Sequence, residues 1–210
     1  MTHALRQDRG MRVPNSEHES VRWRIAEITP DFRLEDVWML PAHGGREDFG
    51  PLLELMASLD PARGESAATR LLFSIRYRVG GRFGWDDATR ELAIPGNPEK
   101  TLSARLAADL RDTATNANRS SYGFRALYRT DDEWAAEVSN RTVHAVMHLA
   151  WVEKGEGRYQ GQMAVYVKPR GRFGAAYMAL IRPFRRRVVY PALLRQIERA
   201  WNARRAQQTE

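Results

Sequence analysis

Four side chains have the types and spacing to do chemistry: His144 and His148, and Glu133 and Glu137. Histidines at i and i+4 share a helix face, where they can hold a metal together. On a strand they also share a face, but at ~3.3 Å per residue they stand about 13 Å apart. Both rings cannot then come within about 2.1 Å of one zinc ion. The run Thr142–Val152 carries Val143, Val146 and Val152 between two turn sequences, so it reads as a strand and joint chelation fails. What remains for the two rings is ordinary hydrogen bonding on a sheet face, or the wall of a polar cavity. Glu133 and Glu137 likewise share a strand face. Turned inward they are candidate general acids with raised pKa; turned outward they are solubilising charges, which is the simpler reading.

Other chemistry is absent from the pattern. Asp86-Asp87 and Asp131-Asp132-Glu133 fall at turns or helix starts, where Asx-turns and caps account for them. No glycine-rich phosphate loop is followed by Lys-Ser/Thr, and no Gly-x-Ser-x-Gly occurs. The chain has no cysteine, which excludes disulfides, thiolate zinc sites, iron–sulfur clusters and a cysteine nucleophile. No catalytic residue, metal site or cofactor is therefore assigned. There is instead an excess of large, adaptable apolar groups on the strand-like segments: Tyr128, Trp134, Met147, Trp151, Met163 and Tyr166. Core packing explains them most simply. The alternative is a curved sheet that closes over a helix and leaves a cavity. Tyr128, Trp134, His144, Met147, His148, Trp151, Met163 and Tyr177 are the cavity candidates, although residues on opposite strand faces cannot all line one space.

These side chains need elements to position them. Residues 1–20 are polar and aperiodic and read as a disordered or loosely attached tail, leaving one domain over 21–206. Val21–Ile28 alternates and predicts a strand, and Leu34–Leu40 fits either a strand or a short helix. Leu52–Leu59 predicts a helix with Pro51 in its first turn. Ala68, Leu71, Leu72, Ile75 and Val79 form the stripe of an amphipathic helix stopped by Gly80-Gly81. In the polar stretch 86–121, Asn97-Pro98 opens a candidate helix through Leu102, Leu106 and Leu110. From Phe124 the period changes. Phe124–Arg129, Glu133–Ser139, Thr142–Val152 and Arg158–Lys168 predict four strands joined by short turns, hence an antiparallel meander. A long helix over Ala175–Arg205 follows, interrupted at Pro183 and Pro191.

The chain has 210 residues, 43% of them apolar and 28% charged, and carries a net charge of +7. That length suits one domain that buries roughly 70% of its unfolded surface. The basicity is local: residues 168–210 hold eleven Lys/Arg against Glu198 and Glu210, while the remainder is slightly acidic. Arg182, Arg185, Arg186 and Arg187 form the densest part. Such a face can meet nucleic acid or an anionic membrane, but a solvated helix face is the simpler reading, and nucleic acid is the less expected partner. No apolar run approaches the ~18 residues of a membrane span, and the first residues lack the hydrophobic block of a signal peptide. A cytoplasmic protein is the expectation.

The order strand, two helices, antiparallel meander and long closing helix is similar to that of the START-like, or SRPBCC, helix-grip fold. The closing segment Tyr177–Arg185 with Val188-Val189-Tyr190-Pro191 is more specific. With Gly84-Trp85-Asp86, Glu137–His144, Asp31-Phe32 and Asp36-Val37-Trp38, it resembles the bacterial domain-of-unknown-function family 2867 across roughly residues 25–203. The resemblance implies an α+β fold with a curved antiparallel sheet wrapped around a long C-terminal helix, and a cavity for a hydrophobic ligand. Some relatives carry a nicotinamide-dependent reductase domain, which makes such a reductase the candidate protein partner. It implies no reaction. The expectation is a binder or carrier of a small apolar molecule. The rivals are a cyclase- or hydratase-type enzyme using His144, His148 or Glu137, and a binder of nucleic acid or anionic membrane through the arginine face.

Overall fold

Alternating apolar residues over the meander, and an apolar run at 37–42, build the sheet around which everything else is arranged. The computed structural model describes residues 10–59, 92–113 and 124–208. Six strands form one antiparallel sheet: β1 (Met11–Val13), β2 (Arg33–Gly44), β3 (Arg125–Arg129), β4 (Glu133–Ser139), β5 (Val143–Glu153) and β6 (Tyr159–Pro169), in the order β1-β2-β6-β5-β4-β3. The four meander strands lie within a residue of their predicted bounds. The β5–β6 turn uses positive φ at Gly155, Glu156 and Gly157, which suits its glycine-rich sequence.

Helices cover both faces. On one face lie α3 (Phe49–Ser58) and the closing helix, with Trp38, Leu40, Phe49, Leu52, Leu149, Trp151, Met163, Leu194, Ile197 and Trp201 between them. On the other lie α1 (Asn15–Glu19), α2 (Ile25–Ile28), a 3-10 turn (Leu102–Arg105) and α4 (Ala108–Arg111), over Val37, Leu127, Val146, Ala150 and Ala164. The closing helix is α5 (Gly171–Phe184), a π-helical turn (Arg185–Val189) and α6 (Tyr190–Gln208). The wide turn answers Pro191, which cannot donate to the carbonyl of Arg187 and whose ring would press on it in an α-helix. At the start of α5, Gly174 packs so closely on β5 that a Cβ would sit 2.2 Å from the Thr142 carbonyl oxygen.

Three expectations are corrected. Val21–Ile28 is not a strand, because the outer edge of β2 is already paired by β1 and the Arg24 N–H goes to a glutamate; the segment ends in α2. The single helix expected after Asn97-Pro98 is instead a 3-10 turn and the short α4, which with their connection bury Leu102, Leu106 and Leu110. Residues 11–19, expected within a loose tail, form β1 and α1, held by Asn15 Nδ2 on the Leu34 carbonyl and by the buried His18. The amphipathic stripe Ala68–Val79 lies outside the described residues.

Candidate ligand-binding site

The β4–β5 hairpin sets the chemistry of the face away from the closing helix. Its register pairs Ala135 with His148 and Ser139 with His144, so each histidine sits diagonally from a glutamate on the same face. His148 Nε2 lies 3.1 Å from Glu133 Oε2, and His144 Nε2 lies 2.8 Å from Glu137 Oε2. Each carboxylate also holds the start of a short helix. Glu133 accepts the Arg24 N–H ahead of α2 at 3.0 Å and the Tyr128 hydroxyl at 2.8 Å. Glu137 accepts the Leu102 N–H at 3.1 Å, the Thr101 hydroxyl and the Arg125 guanidinium.

These glutamates point inward, and the expected raised pKa is reversed. Burial alone would push both carboxyls up, but the donors win: His148 first for Glu133, and His144 with Thr101 for Glu137, hold them below the ordinary value. Burial and the Glu133 charge push the Tyr128 hydroxyl far up, so it stays a donor. A carboxylate has only lone pairs to offer, so each Nε2 is the donor. Neither Nδ1 has a partner among the described residues.

His18 reaches the same cluster from α1. Its Nδ1 bonds to Gln162 Oε1, while Gln162 Nε2 faces the Met39 sulfur at 3.4 Å. The opposite amide orientation would set a carbonyl oxygen against sulfur with no donor between them, so Oε1 accepts and His18 Nδ1 donates. Its Nε2 is then an acceptor, buried and without a partner among the described residues. Burial, and then the neighbouring His148, lower the His18 pKa to about 4. The ring packs on Trp23 at 5.8 Å, His148 at 5.1 Å and Tyr166 at 5.9 Å between centroids. Trp23 Nε1 is likewise buried without a partner among the described residues.

A cleft of about 240 Å³ opens beside this cluster. Its wall is formed by α1, α2 and their connections (His18, Glu19, Val21, Trp23, Ala26, Thr29, Pro30 and Phe32), with Leu34 of β2 and Tyr166 of β6 completing it. Phe32 also meets the His144 ring edge-on at 5.4 Å. No group of three or more side chains able to hold a metal occurs among the described residues.

The eight cavity candidates divide between the faces. Tyr128, His144 and His148 belong to the polar cluster just described. Trp134, Met147, Trp151 and Met163 point to the closing helix, and Tyr177 packs against that side with Val143 and Val167. There Trp151 Nε1 donates to Gly45 O at 2.8 Å and Trp201 Nε1 to His43 O at 3.1 Å, while Trp38 leans on Tyr190 at 5.0 Å. The basic face also turns inward. A bulge in β2 sets Glu35 and Asp36 both towards the helix. Asp36 takes Arg185 at 2.7 Å and Arg186 at 2.6 Å, and Glu35 takes Arg182 at 3.3 Å. Arg187 is exposed. The sequence reading missed His18 and Trp23, which lie in the segment taken as tail or strand, and passed over Tyr166 as packing.

The family model described as Protein of unknown function (DUF2867) matches residues 28–192. The chain belongs to this family. The DUF2867 match takes in both glutamate–histidine pairs and the inward arginines, and it ends short of His18 and Trp23. No curated protein and no solved structure matches the chain. No described helix is long and apolar enough to cross a membrane.

Proposed function

We propose that this DUF2867 protein is a non-catalytic binder of a small, largely apolar molecule, built on a START-like helix-grip frame. The frame is supported by the antiparallel order in which the long first strand β2 lies beside the last strand β6, with α3 and the closing helix on one face. The observation that carries the binding reading is the cleft between α1, α2 and the sheet. Trp23, Phe32, Leu34 and Tyr166 give it apolar walls, and His18 supplies a neutral polar group. Ligand sites combine those features, mostly apolar lining with few polar groups. The face under the closing helix packs Trp151 against Trp201 and Trp38 against Tyr190, and serves as scaffold. Both glutamate–histidine pairs are buried and committed to each other and to helix starts. They act as positioning residues that hold the cleft walls on the sheet.

The test is native mass spectrometry of the protein purified from cells, with extraction of any bound molecule. A small-molecule adduct on the wild-type chain, lost from Trp23→Ala and retained by the closing-helix variant Arg187→Ala, supports the proposal. An adduct unaffected by Trp23→Ala places the ligand elsewhere and overturns it.

A further inference from the structure

Three buried polar atoms, one on each of three rings in mutual contact, have no partner among the described residues: His18 Nε2, His148 Nδ1 and Trp23 Nε1. His18 lies 5.8 Å from Trp23 and 5.1 Å from His148, and Trp23 lies 5.7 Å from His148. An unsatisfied buried polar group costs about 1–3 kcal/mol, so three in one place call for an occupant. Two of the ring-bearing residues, His18 and Trp23, line the cleft.

The unpaired set has a definite chemistry. His18 Nε2 is a lone pair, and so is His148 Nδ1 whenever that ring carries a single proton, because Gln162 Oε1 and Glu133 Oε2 take the protons on the other nitrogens. Trp23 Nε1 is a donor only. A group that satisfies them must donate to an imidazole nitrogen and accept from an indole N–H. A neutral hydroxyl does both. A carboxylate has no proton for the lone pairs, and it would also face the Glu133 carboxylate behind His148 and the Glu19 side chain in the cleft wall.

We infer that the cleft selects an apolar molecule bearing a neutral hydroxyl, a phenol or an alcohol, whose oxygen bridges His18 Nε2 and the Trp23 indole N–H, and that it rejects the matching acid. This rests on the proposed reading of the cleft as the ligand site. His18 and Trp23 are then specificity-determining residues, since a site built to hydrogen-bond a substrate hydroxyl discriminates strongly against the analogue lacking it.

The experiment is calorimetric titration of the full chain near neutral pH with three bicyclic probes of similar size: 2-naphthol, 2-methoxynaphthalene and 2-naphthoate. The expected result is 2-naphthol bound at least about tenfold more tightly than either of the others, about what one hydrogen bond supplies. Trp23→Phe keeps the ring and removes the N–H, and His18→Phe keeps an aromatic ring and removes the acceptor. Each should shrink the naphthol preference severalfold while leaving the methoxy compound's affinity little changed. Equal affinity of the three probes for the wild-type chain overturns this inference and leaves the apolar cleft standing. Preference for the carboxylate also overturns it. Absence of binding by all three overturns the cleft reading itself.

Discussion

Both faces of the sheet bury aromatic side chains, and they use them differently. Towards the closing helix, Trp151 and Trp201 donate their N–H groups to backbone carbonyls at the β2 end, Glu35 and Asp36 are each met by arginines, and Trp38 Nε1 is buried without a partner among the described residues. Towards the N-terminal helices, Trp23, His18 and His148 keep polar atoms without partners among the described residues, beside an open cleft. The packed face specifies the fold. Three unpaired polar groups gathered beside a cleft have capacity for something else, and their cost is tolerated because the packed face supplies the stability.

Trp151→Ala tests the scaffold side and has the largest expected effect. It removes ring contacts with Phe49, Tyr159 and Trp201 and should cost about 4–5 kcal/mol in urea denaturation. Among molecules still folded in the absence of urea, 2-naphthol affinity should be unchanged. Glu133→Ala breaks the other side. It strands the His148 N–H, the Tyr128 hydroxyl and the Arg24 N–H, for about 3–4 kcal/mol, and it should weaken naphthol binding as well because α2 loses its anchor.

Acid should discriminate the faces next. The folded-state pKa of His18 is depressed to about 4, and the groups around it are His148, Glu133, Gln162 and Tyr166 from the sheet and Glu19 beside it on the chain. Its stabilisation is fully present above the unfolded value near 6.5. It is lost as pH falls towards 4, because only the unfolded chain takes the proton there, at a cost of about 3 kcal/mol. His18→Phe should flatten stability against pH in that window. The lowered Glu133 and Glu137 lose their contribution only below about 4.5, so that part of the acid transition should persist. The smallest effect belongs to the exposed Arg187: Arg187→Ala should change stability by less than about 0.5 kcal/mol. Arg186→Ala, which strips a partner from the buried Asp36, should cost about 1–2 kcal/mol.

The meander was legible because period-two alternation and short turns are local signals, and β4 is bounded as expected at Glu133 and Ser139. The glutamate–histidine pairing was half legible. Glu133, Glu137, His144 and His148 all stood out, but pairing them needs the hairpin register. The turn at Asn140-Arg141 sets that register, with the Asn140 side chain accepting from the Thr142 and Val143 N–H groups. Trp23 was hidden by an alternation that pointed to a strand, and His18 was illegible for a different reason. A five-residue helix and a three-residue strand carry no periodicity, and what orders them is contact with Gln162, Asp36 and Leu34 far along the chain. The arginines misled because composition reports charge and not its partner; the β2 bulge that turns Glu35 and Asp36 to the same side has no sequence signature.

The central claim is that the ligand site lies on the N-terminal face of the sheet. The six tryptophans offer a direct measurement, because their indole N–H resonances report both faces at once. In a titration with 2-naphthol followed by proton–nitrogen correlation spectra, with peaks assigned by single Trp→Phe variants, the Trp23 indole signal should move saturably. Those of Trp151 and Trp201 should stay in place. Movement of the Trp151 and Trp201 signals with Trp23 unmoved would contradict the account and put the ligand under the closing helix.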